Sequence, residues 1–166
     1  MERIAQFEKV SYGEFAKANV GMDEGAWKKI YDDIVLPARA TAGSAGYDFF
    51  APQDLEVKPG ESVKIPTGIR ARIADGWVLA VFPRSGLGFK YRFQLDNTVG
   101  IIDSDYYYGE NEGHIFCKLT NGSTENKTVF VKKGQGFCQG LFLPFGITED
   151  DAARAKRNGG FGSTDK

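Results

Sequence analysis

A carboxylate, Asp103, stands late in the run Gly100-Ile101-Ile102-Asp103-Ser104-Asp105-Tyr106. The apolar pair before it suits a buried strand. A strand end is fixed by its sheet, yet its last side chain can reach a cleft. An acid held this way can position a water and take its proton, provided the water lies within hydrogen-bond reach. Tyr106 follows three residues later with a flat ring. Alone, Ile-Ile-Asp marks only a strand that ends in a polar turn, so the other segments carry the weight. Ala42-Gly43-Ser44-Ala45-Gly46-Tyr47-Asp48 joins glycines to a second carboxylate. Pro83-Arg84-Ser85-Gly86-Leu87 puts a guanidinium and a hydroxyl on a turn, and the guanidinium is a planar fork of donors. Gly159-Gly160-Phe161-Gly162-Ser163-Thr164 sets one ring between glycines, ahead of two hydroxyls. Glycines allow close backbone approach to an anion, hydroxyls donate to phosphate oxygens, and a ring can cover a base.

The bulk composition narrows the field. A chain of 166 residues is one domain by default and can bury about 70% of its unfolded surface. Its net charge of −1 supplies no global positive field, so nucleic acid is not an expected partner and any phosphate site must be local. Cys117 and Cys138 sit in strand-like apolar runs with no CxxC spacing, and read as small buried hydrophobes. His114 is the only histidine, which excludes a cage of several histidines around a metal. There is no basic-then-apolar leader and no apolar run of membrane-spanning length, so a cytoplasmic protein without membrane contact is expected.

These groups need elements to hold them. Residues 2 to 10 suit a first strand. Ser11 and Glu14 match a capping box, and Trp27, Ile30, Tyr31 and Ile34 recur at helical spacing, so 11 to 34 reads as a short helical segment. From 46 to 145 the pattern is of short strands and turns. Lys58-Pro59-Gly60-Glu61 suits a type II turn, and Asp75-Gly76 signals a hairpin. Trp77 to Phe82 suits a buried strand. Ile115, Cys117 and Leu119 alternate, Asn121-Gly122 turns, and Val129 to Val131 and Phe137 to Phe145 form further strands. Twenty-one glycines favour many tight turns over long helices. The expected class is all-β, a sandwich or jelly roll. Thr148 to Lys156 suits one or two helical turns.

Taken in order, the segments resemble the five motifs of the trimeric deoxyuridine triphosphatases (dUTP pyrophosphatases, dUTPases). The three chemical segments are the first, second and fifth. Asn97-Thr98-Val99-Gly100-Ile101-Ile102-Asp103-Ser104-Asp105-Tyr106 is the third, and Gly134-Gln135-Gly136-Phe137-Cys138-Gln139 the fourth. The match runs from about 35 to 166. It implies a distorted jelly-roll (β-clip) subunit over 1–156 and a C-terminal arm at 157–166. It implies a homotrimer with shared active sites, Mg2+ as cofactor, and hydrolysis of dUTP to dUMP and pyrophosphate. Asp103 is implied as the base for the attacking water. Arg84, Ser85, Gly86, Gln139, Arg157, Ser163 and Thr164 are implied at the phosphates. Asn97, Gly100, Ile102, Asp103, Tyr106 and Phe161 are implied at uracil and deoxyribose. Asp48 would be an outer-sphere partner of the ion, since no carboxylate cluster offers a cage.

The chain also departs from that pattern. Tyr106-Tyr107-Tyr108-Gly109-Glu110 is one residue longer than usual, and Asn111, Glu112 and Gly113 lengthen the following loop. Tyr106 is favoured as the sugar-side ring because its spacing from Asp103 is retained. Gly136 stands where an arginine is usual, and Cys138 where an alanine is usual. Lys156 stands at the arm's usual arginine position and Arg157 one residue off, and Arg157 is preferred for its fork. A dCTP deaminase of the same fold, and a non-catalytic nucleotide-sensing or protein-binding module, are the alternatives. Pro83-Arg84-Ser85-Gly86 followed by Ile102-Asp103-Ser104-Asp105-Tyr106 favours the hydrolase.

Overall fold

Turn chemistry cuts the middle of the chain into short strands, and long-range antiparallel pairing gathers them into sheets. The structure is a computed structural model, and it describes residues 2–155. The elements run β1 Ala5–Lys9, α1 Tyr12–Ala16, α2 Glu24–Asp32, β2 Tyr47–Phe50, β3 Leu55–Val57, β4 Ser62–Pro66, β5 Ile69–Ile73 and β6 Trp77–Pro83. Then follow α3 Ser85–Tyr91, β7 Phe93–Leu95, β8 Gly100–Ile102, a 3-10 helix Ser104–Tyr108, β9 Phe116–Asn121, β10 Val129–Val131 and β11 Gly136–Pro144. The largest sheet has the order β2-β11-β6-β8, a second is β4-β9-β7, and β1-β5 and β3-β10 pair separately. Each pairing is antiparallel. This is the all-β, jelly-roll-like architecture that the alternation predicts.

The core is built from the inward positions of these strands. Phe49, Leu79, Val81, Phe93, Leu119, Val129 and Phe137 are all buried and belong to one cluster. In β9 the alternation appears as Cys117, Leu119 and Asn121 turned inward. Asn121 is a clamp as well as a turn residue. Its amide donates to the carbonyls of Val57 and Lys127 at 2.8 and 2.9 Å, which satisfies a polar group in the core. The Lys58–Glu61 turn closes as expected, with Glu61 N–H donating to the Lys58 carbonyl at 3.0 Å.

Several expectations are corrected. Asp75-Gly76 makes a turn but no hairpin: β5 pairs with β1, while β6 pairs with β11 and β8. The turn hands the chain from one sheet to another, which local sequence does not reveal. Pro83 to Leu87 is more than a turn, because Arg84 caps a helix that continues through Gly86 and Gly88. The 3-10 helix after Asp103 was likewise not foreseen. Between Thr148 and Ala155 only a turn at Glu149 and Asp150 forms, with no helix. That stretch buries no apolar side chain, so nothing offsets the cost of nucleating a helix.

The helical segment at 11–34 forms as read and joins the core. Ser11 accepts the Glu14 N–H at 3.1 Å, while Asp23 caps α2 through Ala26. Phe15 stacks on Trp27 with ring centroids 4.7 Å apart, and both rings are buried. The capping box is only half realised. Glu14 pairs with Lys17, and Glu112, far along the chain, meets the Ser11 amide in its place.

Candidate active site

Arg84 follows β6, whose neighbour β11 carries Gln139 directly opposite both Phe82 and Asp48. Opposed residues share a sheet face, so the Asp48 and Gln139 side chains emerge together. Arg84 Nε lies 3.7 Å from Asp48 Oδ1, an ion pair beyond hydrogen-bond range. Its N–H donates to the Phe137 carbonyl at 3.2 Å and Nη1 approaches the Gly136 carbonyl at 3.5 Å. A Cβ on Gly136 would lie 3.1 Å from Arg84 Nη1 and 3.4 Å from Asp48 Cβ. Glycine at 136 therefore lets the guanidinium lie against the strand. A Cβ on Gly46 would meet Gln139 Oε1 at 3.0 Å, so the first-motif loop rests on that amide. Arg39 braces the same loop, donating to the carbonyls of Ala42 and Ser44 at 2.9 and 3.0 Å.

Asp48, Arg84 and Gly136 edge a cleft of about 610 Å3, whose lining does not include Gln139. Asp48, Arg84, Ser85, Gly86, Gln135 and Gly136 supply its polar side, with Phe50, Leu87 and Phe130 its apolar side. No side chain caps α3. The amides of Ser85 and Gly86 thus have no acceptor within the helix, and a Cβ on Gly86 would meet nothing within 4 Å. A guanidinium, a hydroxyl and free amides on an open wall form a receptor for an anion such as a phosphate chain.

The other predicted residues gather elsewhere. Asn97, Gly100 and Ile102 line a second, narrow slot with Val81, Leu95, Ile101, Phe116 and Cys117. Its volume of about 20 Å3 holds little more than one water, so a base must lie along its rim or open it. Asn97 to Val99 turn the chain from β7, which pairs with β9, to β8, which pairs with β6, so this is no hairpin. Thr98 in that turn has φ of +66°, and Val99 N–H donates to the Asn97 carbonyl at 2.7 Å. A β-branched residue in this region is strained, and the tight turn fixes the position of Asn97. Asp103 leaves β8 in extended conformation, makes no side-chain cap to the 3-10 helix, and accepts Tyr106 N–H through its carbonyl at 3.2 Å. Tyr106 is buried, and its hydroxyl donates to the His114 carbonyl at 2.8 Å. Of the lengthened run, Tyr107 donates to Glu8 at 2.8 Å and Tyr108 stays exposed.

The cleft and the slot share no lining residue, and Asp103 is the slot-side residue that stands far from Arg84. Ile102 pairs with Leu79, which sets Asp103 level with Val78, six steps along β6 from Arg84. At about 3.3 Å per residue that is roughly 20 Å. Arg157, Phe161, Ser163 and Thr164 lie outside the described residues.

Comparison with known proteins follows the same line. The dUTPase family model matches residues 32–165. The chain belongs to the dUTPase family. A deoxyuridine 5'-triphosphate nucleotidohydrolase of Lactococcus lactis is 42% identical over 134 residues, covering 79% of this chain and 88% of the relative. The crystal structure of a dUTPase from Streptococcus mutans superposes with a TM-score of 0.65 at 35% identity, covering 86% of this chain and 98% of that one. A dUTPase from phage phi11 of S. aureus, described with a structural Mg(II) ion, shares the fold at a TM-score of 0.64 and 18% identity, over 92% of this chain and 98% of that one.

The sequence reading missed Gln135, inside the fourth motif, and Phe50 and Phe130, outside the motifs, as parts of the cleft wall. Phe130 could have been suspected, because it is the outward position of Val129-Phe130-Val131 and is exposed although aromatic. Gln135 gave no signal. It reaches the wall through a turn in which Lys132 N–H donates to its side chain at 2.9 Å.

Proposed function

We propose that this chain is a dUTP diphosphatase whose active site is completed only between copies of itself. Arg84, Ser85 and Gly86 hold the phosphates in the cleft, with Gln139 a further donor on that side. Asp103 of a neighbouring copy orients a water and takes its proton as the oxygen attacks the α-phosphorus. The bond from that phosphorus to the bridging oxygen breaks, and pyrophosphate leaves with dUMP behind. Ser85 donates to the bridging oxygen, where charge builds. The turn at Asn97 and the β8 residues Gly100 and Ile102 read the uracil edge through backbone groups. A cytosine edge would leave these groups unpaired and be rejected. Tyr106 packs under the deoxyribose. From the C-terminus Arg157, Ser163 and Thr164 close on the γ-phosphate and Phe161 on the base, with 1–156 as the β domain.

Mg2+ suits this site as a passenger on the triphosphate. Among the described residues no three histidine, cysteine or acidic side chains group to hold an ion. Asp48, on the cleft wall, is the carboxylate placed to hold the ion's outer waters. When bound, the ion neutralises charge on the phosphate oxygens. Among the described residues no helix is long and apolar enough to cross a membrane. Both cysteines are free, which suits a reducing cytoplasm.

The observation that carries the shared site is the separation between Asp103 and Arg84. A base must come within about 3 Å of its water, and roughly 20 Å along β6 forbids that in one copy. Exposed apolar side chains also flank both halves, Phe130 at the cleft and Ile101 at the slot. A closed trimer would cover them and form three equivalent sites. The test is complementation. Arg84→Ala and Asp103→Asn should each be inactive alone, yet co-assembled they should recover about a quarter of native pyrophosphate release, the fraction of sites that draw both intact residues in random mixing. Recovery should vanish with a chelator, and dCTP should yield no product. Mixed assemblies as inactive as their parents would reject the shared site.

A further inference from the structure

The helical pair, which stands almost wholly ahead of the residues the dUTPase family model matches, and the lengthened loop after Tyr108 touch each other. Glu112 accepts from Ser11 twice, from the backbone N–H at 2.7 Å and from Oγ at 2.6 Å, and Ser11 is the N-cap of α1. To do so Glu112 adopts φ of +54°, uncommon for a non-glycine residue. Its neighbour Asn111 donates to Tyr106 Oη at 2.7 Å and to the His114 carbonyl at 3.3 Å. Tyr106 itself donates to that carbonyl, so its ring is pinned by the loop.

The loop's other end is held by apolar packing from the same helices. His114 is fully buried 6.0 Å from the Phe15 ring, and its Nε2 accepts the Gly68 N–H at 2.9 Å. Gly68 sits at φ of +68°, and a Cβ there would lie 2.3 Å from Ile34 Cδ1. Residues from 11 to 34 thus press on both ends of the segment that holds Tyr106.

We propose that the N-terminal helical pair braces the sugar side of the active site, with Glu112 and Asn111 as positioning residues that act through Tyr106. The inference rests on the reading that Tyr106 lies beneath the deoxyribose. A ring fixed from below can exclude a 2′-hydroxyl, whereas a loose one yields. The brace should therefore govern nucleotide affinity and sugar discrimination more than the chemical step.

The experiment uses the full chain and three variants, Glu112→Ala, Glu112→Gln and Ser11→Ala. Hydrogen exchange of residues 104 to 114 is followed without nucleotide, and KM and kcat are measured for dUTP and UTP. In Glu112→Ala, exchange should quicken about tenfold, KM for dUTP rise about tenfold, kcat stay within about threefold, and preference for dUTP over UTP fall. Glu112→Gln, which keeps an acceptor, should recover most of the loss. Ser11→Ala should move every reading the same way by less, and it carries the test if Glu112→Ala does not fold. Unchanged exchange, or a loosened loop with unaltered KM and discrimination, would overturn the brace. A native protein that leaves dUTP intact would instead sink the enzyme reading, and exchange alone would then decide whether the helices hold the loop.

Discussion

Asp103 is tied down on both sides of its carboxylate, by the β8–β6 ladder before it and by its own carbonyl accepting Tyr106 N–H after it. A side chain mounted this way needs little reorganisation to act, which is what a base for a positioned water requires. Replacing it by asparagine keeps the shape and removes the proton acceptor. Asp103→Asn should nearly abolish turnover while dUTP affinity stays within about tenfold, measured by equilibrium binding beside steady-state kinetics. Comparable loss of both would assign the residue to binding. Gln139 marks where residue-level reading reaches its limit. The family resemblance implied a phosphate donor, and the fold puts it opposite Asp48 with its amide under Gly46, while Gln135 takes the cleft wall.

At the scale of elements, β11 organises the cleft of Asp48 and Arg84 by pairing with β2 on one side and β6 on the other, so three motifs distant in sequence become neighbours. The strands were legible because alternation is local, as in β9. Their partners were not, since β5 and β6 join through a tight turn yet enter different sheets. Helix α3 was illegible for a related reason. Two glycines argue against a helix, and its tight C-terminal turn relies on Arg92 at φ of +51°. The C-terminal motif belongs to this scale as well. Chain cut after Lys156 should remain folded and oligomeric, with cooperative melting and unchanged sedimentation, and should lose at least about a hundredfold in turnover if the arm closes the site. Undiminished turnover would remove the arm from the mechanism.

For the whole molecule, the one histidine makes stability depend on pH. Burial lowers the His114 pKa from 6.5 to about 4. Geometry agrees, because Nε2 already accepts the Gly68 N–H and a second proton would set donor against donor. The sign follows from proton counts. Above pH 6.5 both states are neutral and nothing is lost. Between 6.5 and about 4 the unfolded chain takes up a proton that the folded chain refuses, so stability falls as pH falls, by roughly 3 kcal/mol in total. Below about 4 this loss levels off. Glu112, held below the ordinary carboxylate range first by its side-chain bond with Ser11, then adds a loss as pH falls through its lowered value. Denaturant midpoints at pH 7, 5.5 and 4.5 should trace the decline. A lone imidazole resonance titrating near pH 6.5 in the folded protein would refute it.

By itself, the sequence determined the chemical inventory and its family. The order of the five motifs, the all-β class and the identity of the carboxylate and guanidinium are local facts of residue type and spacing. Only the tertiary structure decided which of these groups share a site, because strand pairing and the stagger along β6 are long-range. The same pairing put Asp103 and the Arg84 cleft towards opposite ends of β6. It also brought Ser11 to Glu112, a contact between residues about a hundred positions apart that no local pattern encodes.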